Sequence, residues 1–247
     1  MRYQVFIAAL AVILAFASPV CAAGGFSDWA AVVVAADFHA HSGADSEVFD
    51  NARRDISADL VHLGFSPGNV MQFSVRPQRY PTQQPRHSDP QTVSTALWDL
   101  SNRTNDGCFA YFTSHGNTDG IELGDGMFSP RQMNQMITNA CGDRPTIVIV
   151  SACFSGVFVP VLQAPNRFIM TAARPDRTSF GCGEQERYTF FDTCMVQNLQ
   201  GAGDFATLAK NVTACVSARE KKDAIQYPSD PQVSIGAEVA SKLPHWK

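Results

Sequence analysis

The chain reads as a single α/β domain, a mainly parallel central sheet flanked by helices. Three observations predict this. Short apolar, β-branched runs alternate with longer amphipathic stretches, as strands joined by helical crossovers do. Each run has a length suited to a buried strand. The 247 residues, 45% hydrophobic and 17% charged, can fill one core of ordinary size.

Taken in order, the first segment sets the compartment. Arg2 gives a positive start, Val5 to Phe16 is an apolar run, and Ser18-Pro19-Val20-Cys21-Ala22-Ala23 ends in small residues. That is the pattern of a signal peptide cut after Ala22 or Ala23, so residues 1–22 are assigned to a leader and 23–247 to the domain. The run is shorter than the roughly 20 residues of a membrane span, and no later segment approaches that length. The expected product is exported, periplasmic or secreted, with no stable membrane insertion. Pro19-Val20 fits poorly ahead of a lipid-bearing cysteine, which argues against that role for Cys21.

The strand candidates are Ala30 to Ala36, Val70 to Val75, Cys108 to Thr113, Thr146 to Ser151 and Arg167 to Thr171. Ser46 to Leu63 carries Val48, Ala52, Ile56, Leu60 and Leu63 at helical spacing and is stopped by Gly64. Ser94 to Arg103, Pro130 to Ala140 and Tyr188 to Leu199 are further helices. Asp204 to Glu220 is another, with an Asp start and Arg219, Lys221 and Lys222 near its end, as the helix dipole favours. Arg76 to Pro90, with four prolines and three arginines, reads as an irregular surface loop. It leaves a strand carboxyl end, where loops often border the ligand crevice of this architecture. Pro228 to Pro231 followed by Val233 and Ile235 suggests a turn and a short edge strand. No internal repeat is present.

The net charge of −4 and pI near 5.8 give no broad basic surface, which removes support for a nucleic-acid partner. Export permits disulfides among Cys108, Cys141, Cys153, Cys182, Cys194 and Cys215. Cys108 and Cys141 each precede a predicted strand and form a plausible pair. If Cys153 stays free, five remain, so at least one further thiol is unpaired. No C-x-x-C spacing occurs, which argues against a structural zinc site or a thioredoxin-like redox motif. No cofactor is expected, and oligomeric state is left open.

Two strand ends each deliver a reactive residue close to glycine: Tyr111-Phe112-Thr113-Ser114-His115-Gly116, and Ile147-Val148-Ile149-Val150-Ser151-Ala152-Cys153-Phe154-Ser155-Gly156. Neighbouring strands of a parallel sheet end on one edge, so His115 and Cys153 are expected to face a common crevice. The small residues Ser151, Ala152, Ser155 and Gly156 leave room for a peptide backbone to approach.

A strand followed by His-Gly and, later, a strand followed by Ser-Ala-Cys-x-Ser-Gly resembles the legumain and caspase group of cysteine peptidases. Ile169 to Cys182, with Thr171-Ala172-Ala173-Arg174-Pro175, is similar to a segment of legumains proper. The resemblance spans roughly Trp29 to Leu199 and implies a caspase-like three-layer α/β sandwich. It also implies a peptide or protein substrate attacked by Cys153 through a thioester, with His115 as general acid/base and the N–H groups of Gly116 and Cys153 holding the oxyanion. Ser151 stands where legumains have a substrate-binding glutamate, and Asp192 resembles the acidic residue of the opposite pocket wall. An acidic wall would accept an asparagine amide or pair with a basic side chain, and the sequence leaves these open.

Asp37-Phe38-His39-Ala40-His41-Ser42-Gly43 resembles the family region that supplies pocket and histidine-orienting residues, which makes His41 a substrate-binding candidate. No asparagine stands at the orienter's place, so His39, Asp37 and a backbone carbonyl all remain candidates to hold His115. His39 and His41 would share a face if extended, but no carboxylate-rich ligand pattern accompanies them, and no metal is expected. Two other readings use the same residues: a transpeptidase or transamidase that passes the acyl group to an amine, and a catalytically silent binding module.

Overall fold

The computed structural model describes residues 25–246 together with Met1. Apart from Met1, the proposed leader lies outside the described residues. The strands are β1 (Trp29–Ala35), β2 (Val70–Ser74), β3 (Arg86–His87), β4 (Gly107–Thr113), β5 (Gly116–Asn117), β6 (Gly120–Leu123), β7 (Gly126–Phe128), β8 (Thr146–Ser151), β9 (Arg167–Thr171) and β10 (Gln232–Ile235). The helices are α1 (Val48–His62), α2 (Pro90–Ser101), α3 (Pro130–Cys141), α4 (Val159–Leu162), α5 (Phe190–Asn198) and α6 (Phe205–Lys222).

Seven strands form the central sheet in the order β10-β9-β8-β4-β1-β2-β3. Every neighbouring pair is parallel except β10 on β9. The strand period of two sorts the side chains onto two faces. Ala31 and Val33 of β1, Phe109 and Tyr111 of β4, Ile147 and Ile149 of β8 and Phe168 and Met170 of β9 point one way. They pack on Ile56 and Leu60 of α1, Phe191 and Met195 of α5 and Phe205, Leu208 and Val212 of α6. Ala30, Val32, Ala110, Phe112, Val148 and Val150 point the other way, onto Val93 and Leu97 of α2 and Met133 and Ile137 of α3. This is the expected three-layer sandwich. Each large side chain buried this fully contributes about 1.5–3 kcal/mol, which is why a sheet with both faces apolar requires helices on each.

Helix starts follow capping chemistry. Asp89 accepts the Thr92 N–H at 2.9 Å and Pro90 occupies the first turn of α2. That helix therefore begins one turn before the predicted Ser94, and the predicted loop ends where its last proline starts the helix. Ser129 and Gln132 form a capping box on α3, and Asp204 accepts the Thr207 N–H at 2.7 Å on α6. Within Arg76 to Asp89 the chain makes a short 3-10 turn and the two-residue β3.

Cys108 and Cys141 are disulfide-bonded, as are Cys194 and Cys215. The first ties β4 to the end of α3, and the second ties α5 to α6. Cys153 and Cys182 are the free thiols among the described residues. A small antiparallel sheet, β5-β6-β7, stands on the carboxyl end of β4 and has no counterpart among the strands that the sequence predicts.

Candidate active site

The site sits where β4 and β8 run out. Their register holds through Thr113 and Ser151, and the Ser114 N–H still donates to the Ser151 carbonyl at 3.1 Å. One residue further the chains part, His115 and Gly116 into β5 and Cys153 into a turn. His115 and Cys153 line one narrow crevice together with Phe49, Ser151, Phe180 and Thr189.

His115 is fixed on two sides. Its Nε2 lies 3.0 Å from the main-chain oxygen of His39, and its ring meets Phe49 edge-on with centroids 5.3 Å apart. A carbonyl only accepts, so Nε2 donates and the lone pair of the neutral ring is on Nδ1. Asp37 Oδ2 stands 3.8 Å from the same Nε2, too far for a hydrogen bond. The carbonyl is thus the bonded partner among the three orienter candidates. The loop bearing it is clamped in turn: Arg76 donates to Asp45 and to the Ser46 carbonyl, and its guanidinium lies 4.3 Å from the Phe38 ring centroid.

Gly116 is required by close approach. A Cβ there would fall 2.6 Å from the Cys153 carbonyl oxygen. In the β5–β6 ladder, Glu122 N–H donates to the His115 carbonyl at 3.0 Å, which makes 115/122 the hydrogen-bonded pair. The next pair, Gly116 with Ile121, is then a non-bonded one, and the Gly116 N–H points away from β6. The Cys153 N–H has no acceptor among the described residues.

Cys153 is half-buried, and the segment after β9 wraps over it. Ser179 N–H points at its Sγ from 3.2 Å, and Phe154 N–H donates to the Arg177 carbonyl at 2.8 Å. Phe154 itself has φ 57°, a left-handed conformation that costs a bulky residue energy and turns the chain sharply after the thiol. Gly156 admits this wrap, since a Cβ there would meet Pro175 at 2.5 Å. Burial pushes the Cys153 thiol up, against the pull of the Ser179 backbone, so the sulfur is protonated at neutral pH.

The other candidates fall in different places. Ser151 lines the crevice, its hydroxyl 3.4 Å from that of Thr189. Asp192 stands behind that pair and is fully buried, neither a crevice wall nor an exposed helix carboxylate. Its oxygens accept from Tyr111 Oη at 2.6 Å and Thr113 Oγ1 at 2.7 Å. The residue that caps its helix, Thr189, therefore meets the crevice in its place. His41 is exposed and lines an adjoining cleft that shares His115 but not Cys153. Among the described residues no cluster of three or more His, Cys, Asp or Glu could hold a metal ion. Phe49, Thr189 and Glu122 carried no sequence signal, whereas Ser179, Phe180 and Cys182 lay in the segment already singled out.

Fold and site together define a caspase-like α/β domain whose sheet edge presents an imidazole and a thiol to one crevice. The chain matches the Peptidase C13 family, the legumain family, over residues 88–228 and belongs to it; it is a cysteine peptidase. It is similar in fold to the crystal structure of caspase-1 from Spodoptera frugiperda, with a TM-score of 0.62 at 16% identity over 93% of this chain and 94% of that one. A structure of pro-sf-caspase-1 gives a TM-score of 0.62 at 15% identity, over 86% of this chain and 93% of that one. No curated protein matches the chain.

Proposed function

We propose that the protein is an exported cysteine endopeptidase in which Cys153 is the nucleophile and His115 its general acid/base. The observation that carries this reading is the shared crevice, with both side chains on loops held by adjacent strand ends. Because burial keeps the thiol protonated, attack on the scissile carbonyl has to be accompanied by proton removal. His115 is the base in the crevice, with its Nε2 fixed by His39 and its Nδ1 lone pair free to take that proton. The same proton passes to the departing amine as the C–N bond breaks and the thioester forms; water then releases the acid.

The Gly116 N–H, turned out of its ladder, and the unengaged Cys153 N–H fit the two donors that the negative oxygen of the tetrahedral intermediate needs. The crevice wall offers the hydroxyls of Ser151 and Thr189 and no free carboxylate, since Asp192 is sealed behind them with both oxygens engaged. This favours an uncharged side chain on the acyl side of the cut over lysine or arginine. Export is supported by two disulfides among the described residues, which persist in oxidising compartments.

A peptide library digested by the native protein and by Cys153→Ala tests the reading. Cleavage lost in the variant, with one solvent oxygen in each new carboxyl group, is expected. Cleavage unaffected by the change excludes Cys153 as nucleophile, and products joined to an added amine in preference to water make the enzyme a transpeptidase.

A further inference from the structure

Adjoining the crevice at His115 lies an open cleft of about 520 Å³, lined by Asp37, His39, His41, His115 and Glu122. It touches the imidazole but not Cys153. In the reaction proposed above the acyl half of the substrate stays with the thiol, and the amine half departs past His115. The cleft therefore borders the leaving half.

Its lining sets two carboxylates among three histidines. Glu122 is the one exposed residue of β6, between Ile121 and Leu123, which are buried. Its N–H is bonded to the His115 carbonyl, so a rigid strand rather than a mobile loop sets the carboxylate beside the imidazole. Behind it, Asp37 is only 5% exposed, and its Oδ1 is taken by Phe38 N–H at 2.6 Å and His39 Nδ1 at 2.8 Å. Its Oδ2 has no N–H or hydroxyl donor, and the group it meets is the Glu122 carboxyl. A buried carboxylate oxygen without a donor is costly. The two carboxylates also oppose each other: burial and the neighbouring Asp37 push Glu122 up. His115 and His39 pull Glu122 the other way, but among the described residues no lysine or arginine lines the cleft. A mobile ammonium or guanidinium would relieve the two carboxylates, whereas among the described residues no three of these side chains are grouped so as to hold a metal ion.

We propose that this cleft receives a lysine or arginine side chain of the substrate residue that follows the scissile bond, with Glu122 as its charge partner. The inference rests on the peptidase reading only for which half of the substrate occupies the cleft.

The test uses peptides randomised before the cut and fixed as lysine, glutamine or glutamate after it, digested at pH 7.5 and low salt by the native protein, Glu122→Gln and Glu122→Lys. The expected native kcat/KM is at least about tenfold higher for lysine than for glutamine, and lowest for glutamate. The lysine-to-glutamine ratio should fall to about one in Glu122→Gln, and the order of lysine and glutamate should reverse in Glu122→Lys. A native enzyme indifferent to this residue, or a lysine preference that survives Glu122→Gln, overturns the proposal. If no peptide is cut in a Cys153-dependent way, the peptidase reading fails instead. The cleft is then tested by titrating lysine amide and norleucine amide into Cys153→Ala and following the amide resonance of Glu122. Selective response to lysine amide supports the cation site, and equal or absent response overturns it.

Discussion

The imidazole of His115 is tethered to the main chain of His39, through a 3.0 Å contact between Nε2 and the carbonyl oxygen. An orienter made of backbone survives side-chain replacement. His39→Ala is therefore expected to change kcat/KM by less than about tenfold, whereas His115→Ala removes the acid/base and costs about 10²–10⁴-fold. Steady-state kinetics on one peptide compares them. Equal losses in the two variants would mean that the His39 side chain orients the ring.

Gly116→Ala places a methyl group 2.6 Å from the Cys153 carbonyl oxygen. The β5–β6 hairpin has to move, carrying the Gly116 N–H away from where the oxyanion forms. A loss of about 10²-fold in kcat is expected, the scale of one displaced oxyanion donor, with KM changed far less.

Asp192→Ala is a stability variant. It strips both Tyr111 and Thr113 of their acceptor inside the core, and each orphaned hydroxyl costs about 1–3 kcal/mol. Urea unfolding should show a loss of about 3 kcal/mol. Asp192→Asn isolates the charge. Burial raises this carboxyl above its ordinary value of 3.8, against the pull of its hydroxyl donors. A carboxyl raised on folding contributes fully below the unfolded value and loses that contribution as pH climbs through the folded one. The native urea midpoint should therefore fall relative to that of Asp192→Asn as pH rises from about 4 to 7.

The two thiols of the crevice titrate late. Burial pushes both Cys153 and Cys182 above the usual 9.0. Alkylation of the native protein by iodoacetamide should be slow at pH 7 and climb about tenfold per pH unit until the thiolate forms. A labelling rate already flat at neutral pH would show a preformed thiolate.

Much of this arrangement is legible in the residues. Five of the seven sheet strands announce themselves as β-branched runs, and β10 was foreseen as an edge strand at Val233 and Ile235. Cys108 and Cys141 are a plausible pair in the sequence because each precedes a predicted strand, and the structure bonds them. The hairpin sheet went unread because its strands are two to four residues long and rich in glycine. Gly124-Asp125, the two residues between the paired Leu123 and Gly126, is its turn signal. The place of Asp192 was also invisible. Helical position tells which face a carboxylate occupies but not that Tyr111 and Thr113, remote in sequence, supply its donors. Glu122 gave no signal, because its meaning comes from a strand pairing that sets it opposite His115.

The most direct measurement is to stop the reaction in acid during the first turnover and locate the acyl group by mass spectrometry. A thioester is expected on the peptide containing Cys153, absent from Cys153→Ala. An acyl group found on Cys182 instead, or turnover with no acyl group on either cysteine, would contradict it.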